Sequence, residues 1–280
     1  HRIAYLVYNY IKKIKQNQYL VIGPNPVFLK YIKSVLPELD VDGVAQCTYE
    51  GFVKNYIGED IKINLSDKKV VESILGFKNS DVDKFKCSMK YQKMLEQFMQ
   101  LYIYSITSKP LMLGNFEVLS RKTITQIFQS TENDFSNSLN NRIENTIDKL
   151  YRYIGNEQDK ILLRYSDYSY ELFKTATTET EKNEMRKMFA KDRAEISKKC
   201  KSAIRKYFNK SKISTTKVYK LFINSIFDYD IYHYDKLNEL KKETMKNIKN
   251  SVYDFEDLAA LLYIKFLTSP NREYDRIKHV

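Results

Sequence analysis

The sequence predicts an α/β fold that is also rich in α-helix: part of a parallel sheet, interrupted by a large and mostly helical insertion. Three observations predict it. Helix, strand, helix, strand and helix follow one another within the first 57 residues, the cadence of a doubly wound parallel sheet. From about residue 66 to 250 the apolar residues recur at helical spacing. The 280 residues include only seven Gly and five Pro, too few turn formers for an all-β chain. The domain reading is therefore 1–65 as the first part of the sheet lobe, 66–250 as the insertion and 251–280 as the return to the lobe.

Taken in order, residues 1–16 place Ile3, Leu6, Val7, Tyr10, Ile11 and Ile14 on one face of a helix, with lysines opposite. Residues 18–22 form a short apolar strand that ends in Gly23-Pro24-Asn25. Pro26 fits the first turn of the next helix, where a missing N–H costs nothing. Val27, Leu29, Tyr31, Ile32, Val35 and Leu36 carry that helix to about Pro37. Val44 to Cys47 read as a second strand. Thr48 is placed to cap a third helix holding Phe52, Val53, Tyr56 and Ile57, with Glu50 in its first turn. The cadence stops near Gly58-Glu59-Asp60.

Helices are then expected at 67–75, 80–104, 120–129, 137–154, 166–174, 179–209, 214–227 and 235–250. Residues 111–118 read as two short strands around a Gly114-Asn115 turn, with Ser120 capping the following helix. A buried helix is expected over 253–267, where Phe255, Leu258, Leu261, Leu262, Ile264 and Phe266 are nearly continuous. Ile277 to Val280 read as an apolar strand.

The longest helix, 179–209, has one apolar face and one basic face. Between 182 and 212, twelve Lys or Arg stand against three acids, a net of +9 and most of the chain's +12. Such a face is either the solvated side of a packed helix or a contact for a phosphate backbone or an acidic protein. Lys198, Lys199, Lys201 and Lys206 are its candidate contacts.

Composition and motif absences narrow the chemistry. Cys47, Cys87 and Cys200 are too scattered for a disulfide framework or a CxxC metal pair, and three separated His make a structural zinc site an unexpected one. No run of 18 apolar residues and no signal-peptide pattern occurs, so a cytoplasmic location without membrane contact is expected. No GxxxxGK[ST] is present, and no nucleophile–His–acid set can be built. Asp81/Asp83 and Asp228/Asp230 have i, i+2 spacing, which a helix does not place on one face, so helix caps and turns explain them better. No catalytic residue and no metal ligand is assigned.

His1-Arg2-Ile3-Ala4-Tyr5-Leu6 resembles the helix that follows the P-loop in UvrD/Rep-type superfamily-one helicases. Val21-Ile22-Gly23-Pro24-Asn25-Pro26-Val27-Phe28-Leu29 is similar to the HelD branch of that family, with Gly-Pro-Asn standing where other members carry a Thr-Asn turn. Thr48-Tyr49-Glu50-Gly51-Phe52 resembles the next motif. Asp254-Phe255-Glu256-Asp257-Leu258-Ala259 through Phe266 resembles the helix before the Asp-Glu-Ala-Gln-Asp box, and Ile277 to Val280 the start of that box's strand. Tyr219-Lys220-Leu221-Phe222 is a minor further match; across the rest of the helical middle only order and length agree.

The resemblance implies a RecA-like P-loop NTPase lobe and an ATP-dependent helicase or translocase that associates with RNA polymerase. It implies that ATP and Mg²⁺ serve the full-length parent, with the P-loop before His1 and the Walker acids after Val280, so that this piece binds neither. It further implies that Gly23, Pro24, Asn25, Thr48 and Tyr49 face a DNA or RNA backbone, and that the helical insertion reaches a partner such as the polymerase. The alternative is a non-catalytic, basic helical module that grips nucleic acid or an acidic protein.

Overall fold

The computed structural model describes residues 5, 9, 10, 15, 18–38, 44–64, 80–131, 138–209 and 214–270. The expected helix over 67–75 and the expected strand at 277–280 lie outside the described residues, as does the helix over 1–16 apart from Tyr5, Asn9, Tyr10 and Lys15. The described chain is mostly helical with three two-stranded sheets, two of them parallel. It divides into two compact units: residues 1–98 with 214–280, and residues 99–213. Both divisions fall inside the 66–250 segment.

The first unit begins with β1 (Leu20–Gly23), α1 (Pro26–Glu38), β2 (Ala45–Thr48) and α2 (Tyr49–Ile57). The strands pair in parallel, with Leu20 opposite Ala45 and Gly23 opposite Thr48. Then follow β3 (Lys62–Asn64), α3 (Asp81–Lys86) and the first part of α4 (Met89–Ser105). The expected single helix over 80–104 is two helices. Cys87 ends α3, and the Ser88 hydroxyl accepts the Tyr91 amide at 3.3 Å to start α4.

After the second unit the chain returns as α9 (Thr215–Asn224), a 3₁₀ turn (Ile226–Tyr229), α10 (Leu237–Ile248) and β6 (Val252–Asp254). A 3₁₀ turn (Phe255–Asp257) then leads into α11 (Leu258–Thr268). Strands β3 and β6 pair in parallel although they lie about 190 positions apart in the chain. The expected helix over 253–267 is corrected here. Its first residues are a strand, because Val252, Tyr253 and Asp254 pair with Lys62, Ile63 and Asn64. Three residues carry too little periodicity to show a strand that only a distant partner supports.

The core of this unit contains a polar centre. Asp257 is fully buried, and its Oδ1 accepts Lys86 Nζ at 2.7 Å and Tyr219 OH at 2.6 Å. Its Oδ2 accepts the Asp254 amide at 3.0 Å, completing a capping box between Asp254 and Asp257. Tyr91 and Tyr219 share a hydroxyl–hydroxyl bond of 2.9 Å. Burial and the Asp257 charge push both phenols well above their ordinary range, so they stay protonated and can donate. Asp254 is held in turn by Asn64 Nδ2 at 3.0 Å and Asn247 Nδ2 at 2.9 Å. Around this centre pack Ile57, Ile61, Met94, Phe222, Leu258 and Leu261, all essentially excluded from solvent.

Glu59 joins α9 to the residues before β3. Its carboxylate accepts the Thr215 amide at 2.6 Å, the Thr216 amide at 3.2 Å, and the hydroxyls of Ser214 and Thr216 at 2.8 and 2.6 Å. These are the orphan donors of a helix N-terminus, where a negative charge is favourable. Burial alone would raise the Glu59 carboxyl; the hydrogen bonds from Thr216, Ser214 and Thr215 outweigh it and hold the pKa below the ordinary value.

The second unit contains the end of α4, a hairpin of β4 (Leu111–Leu113) and β5 (Phe116–Leu119), and α5 (Arg121–Gln129). It continues with α6 (Leu139–Asn156), α7 (Gln158–Lys174) and α8 (Glu179–Asn209). Gly114 supplies the left-handed conformation of the hairpin turn, φ 59°. Ser120 caps α5 through the Thr123 amide, as the sequence predicts. Arg164 of α7 clamps the hairpin, donating to the Val118 carbonyl at 2.7 Å while lying over the Phe116 ring.

Two outcomes follow. Asp257→Asn should lower the stability of the first unit by roughly 3–5 kcal/mol, since it leaves Lys86 charged and buried. Lys86→Met should do likewise, and the double variant should cost clearly less than the sum, as read by urea unfolding. Glu59 contributes fully above its unfolded pKa of about 4.3, and that contribution is lost as pH falls through the lower folded value. Glu59→Gln should therefore flatten the acid limb of the stability–pH curve and leave its alkaline limb unchanged.

Candidate nucleic-acid interface

The pairing of β1 with β2 brings five of the predicted site residues to one edge. Gly23 and Thr48 are register partners at the carboxyl ends of their strands; β2 runs directly into α2, and β1 reaches α1 through Pro24-Asn25. Asn25 caps α1, its Oδ1 accepting the Phe28 amide at 2.8 Å. Thr48 caps α2, its Oγ1 accepting the Gly51 amide at 3.1 Å. Pro24 and Asn25 are exposed, Thr48 and Tyr49 half-buried.

Gly23 is favoured by close approach. A Cβ there would sit 2.6 Å from Leu29 Cδ2 and 2.9 Å from Leu29 Cγ. A side chain at this position would force Leu29 and the neighbouring Phe28 ring to shift.

The two helix N-termini differ electrostatically. Helix α2 carries Glu50 in its first turn, so its positive end is already matched. Helix α1 has no acid in its first turn. Pro24 and Pro26 lack amide protons, and Asn25 takes the Phe28 amide. The Val27 amide has no acceptor among the described residues. That leaves room for one anionic group, not for the several amides that cradle a triphosphate.

Tyr49 packs edge-on against Phe255, ring centroids 5.6 Å apart. Phe255 is itself 46% exposed, and Phe28 is 42% exposed. Neither aromatic was a predicted contact. Phe255 reads in sequence as one more apolar residue of a buried helix; only the 3₁₀ turn before α11 puts its ring outside. Phe52 is half-buried and lies 5.6 Å from the Tyr56 ring. Burial raises the Tyr49 phenol above its ordinary pKa, so it is neutral at physiological pH.

The predicted lysines lie in the second unit, on α8, and do not act as one set. The core side of α8 is the line Ile196, Cys200, Ile204 and Phe208. Burial pushes the Cys200 thiol up to about 11, which makes it an inert packing residue. Lys199 is only half exposed and is tied to Asp192, which also accepts Tyr165 OH at 2.8 Å. Burial would raise the Asp192 carboxyl, but the bonds from Lys199 and Tyr165 hold it low. This trio borders a cavity of about 320 Å³ walled by Tyr165, Tyr168 and Phe189. Lys206 is exposed and borders a separate groove with Tyr102, Lys109 and Tyr207. Lys198 and Lys201 are exposed.

Thr178 and Glu181 start α8 with a capping pair. Thr178 Oγ1 accepts the Glu181 amide at 3.2 Å, and Glu181 accepts the Thr177 and Thr178 amides at 2.9 and 3.2 Å. No residue between 179 and 195 is buried. The first half of the helix therefore shows most of its circumference to solvent.

No protein-family model matches the chain, and no curated protein matches it. No helix among the described residues is long and apolar enough to cross a membrane.

Asn25→Ala and Thr48→Ala should each lower stability by about 1 kcal/mol, the usual cost of a lost N-cap. Urea unfolding of the two single variants and their double variant checks this.

Proposed function

We propose that this chain is part of a HelD-like, UvrD/Rep-type superfamily-one helicase or translocase, with the first unit facing a DNA or RNA backbone. In this reading the first unit belongs to a RecA-like lobe, and the helical insertion engages RNA polymerase. The observation that supports it best is the register of β1 with β2. It sets the Gly23-Pro24-Asn25 turn beside Thr48 and Tyr49 at the carboxyl edge of a parallel sheet, the edge where α/β folds bind ligands.

The chemistry of that edge suits a strand of nucleic acid better than a nucleotide. One open amide at the start of α1 matches a single backbone phosphate. The Tyr49–Phe255 pair offers a half-buried and an exposed ring, which suits sequence-tolerant stacking of a base. The residues present do not fit ATP. The turn after β1 has two prolines and no lysine, and the 280 residues contain no P-loop motif. No step involving ATP or Mg²⁺ is derived from this chain.

A second reading, a non-catalytic basic helical module, is favoured by the open basic face of α8. ATP is the discriminating reagent only for the parent protein; for this chain the discriminator is the strand edge itself.

The purified 280-residue chain should bind a labelled single-stranded oligonucleotide with little sequence preference. Tyr49→Ala or Phe255→Ala should weaken that binding by roughly 1–3 kcal/mol, the usual worth of one base–aromatic stack. Equal binding by wild type and both variants, read by fluorescence anisotropy, would remove the strand-edge reading. The chain alone should show no ATP turnover; turnover above background would overturn the assignment of the ATP chemistry to other segments.

A further inference from the structure

Five of the exposed cations of α8 fall into a row that the charge count alone does not show, while Arg186 and Arg193, also exposed, lie on another side of the helix. Lys187, Lys191, Lys198, Lys201 and Arg205 are all exposed and follow one another at steps of 4, 7, 3 and 4 residues. With 3.6 residues per turn, those steps keep all five on one side, about 120° round from the buried line. Ala194, also exposed, fills the empty place in the row. At 1.5 Å per residue the row is about 27 Å long.

Lys187, Lys191, Lys198 and Lys201 form no ion pair among the described residues. Arg205 is steadied at the end of the row, its Nε donating to Tyr151 OH at 2.7 Å. Lys199 and Lys206 are outside it. The first is held on Asp192, and the second lies on another side of the helix, beside Tyr207. Glu184 and Glu195 border the row along one flank, so the cationic strip is one residue wide.

We infer that this row binds the phosphate backbone of a nucleic-acid duplex, one strand at a time and without reading sequence. Three features favour a duplex backbone over an acidic protein or a single strand. The row is lysine-rich and has no exposed aromatic or large apolar residue to anchor a protein interface, where lysine is depleted. The row itself carries no ring on which an unpaired base could stack, as single-strand binding requires, and Tyr151 beside Arg205 is half-buried and bonded to it. Its unpaired, flexible ammonium groups act as point charges, which suit phosphates and not the bidentate reading of base edges. The inference does not rest on the strand-edge reading of the first unit.

The test is anisotropy of a labelled 20-base-pair duplex with the 280-residue chain from about 50 to 300 mM salt. Four or five neutralised phosphates give a slope of log K against log salt of about −3.6 to −4.5. The variant Lys187→Gln/Lys191→Gln/Lys198→Gln/Lys201→Gln should flatten the slope by about 3.6, while Lys206→Gln should leave it unchanged. Ala194→Lys should steepen it by about 0.9, a gain that misfolding cannot produce.

An unchanged slope in both the fourfold Gln variant and Ala194→Lys would overturn the proposal. A single strand that loses as much affinity as the duplex on neutralising the row would overturn its duplex character. Polyglutamate competing as well as the duplex at equal charge would transfer the row to an acidic protein.

Discussion

A buried carboxylate organises the first unit. Asp257 has no solvent, so its charge is tolerable only while Lys86, Tyr219 and the Asp254 amide all point at it. Two links of this centre join widely separated positions: Lys86 and Asp257 are 171 residues apart, Tyr91 and Tyr219 are 128 apart. Closing such loops costs entropy that grows only slowly with length, so the second unit can be inserted between α4 and α9 without undoing the first. An apolar cluster would bury as much area, but it would not demand one geometry. The directional bonds fix how the returning segment meets the departing one.

The consequences reach the strand edge. Asp257 and Asp254 form a capping box, and Asp254 is fastened to Asn64 and Asn247, so the short β3–β6 pair and the start of α11 are set together. The intervening Phe255 is thereby turned outward against Tyr49. The aromatic pair proposed to meet a base thus depends on a polar centre that never touches solvent. Glu59 adds a second link of the same kind by supplying, from a distant segment, the N-terminal charge that α9 lacks in its own first turn.

In the second unit one helix divides its labour by angle. The same α8 that buries Ile196, Cys200 and Ile204 carries its cations on other sides, and their fates differ with what lies beside them. A lysine seven positions from an aspartate reaches back along the helix to pair with it, as Lys199 does with Asp192. Lys187, Lys191, Lys198 and Lys201, which form no ion pair among the described residues, stay open. Lys198, Lys199, Lys201 and Lys206 lie close together in sequence, and helical geometry separates them into three different surroundings.

Local features were legible in the sequence because local physics makes them. The caps at Thr48 and Ser120, the turn at Gly114-Asn115, the span 179–209 and the strand–turn–helix after Leu20 all depend on neighbours within four or five residues. The strands β3 and β6, the break at Cys87, the exposure of Phe255 and the Lys86–Asp257–Tyr219 centre were not legible. Lys86 and Asp257 in sequence look like two more surface charges. By itself, then, the sequence determined the type of most elements, the parallel cadence of the first strands and the basic character of α8. Tertiary structure decided which charges are buried and which are open, because burial depends on segments that meet only in the fold, as Lys86 and Asp257 do from 171 positions apart.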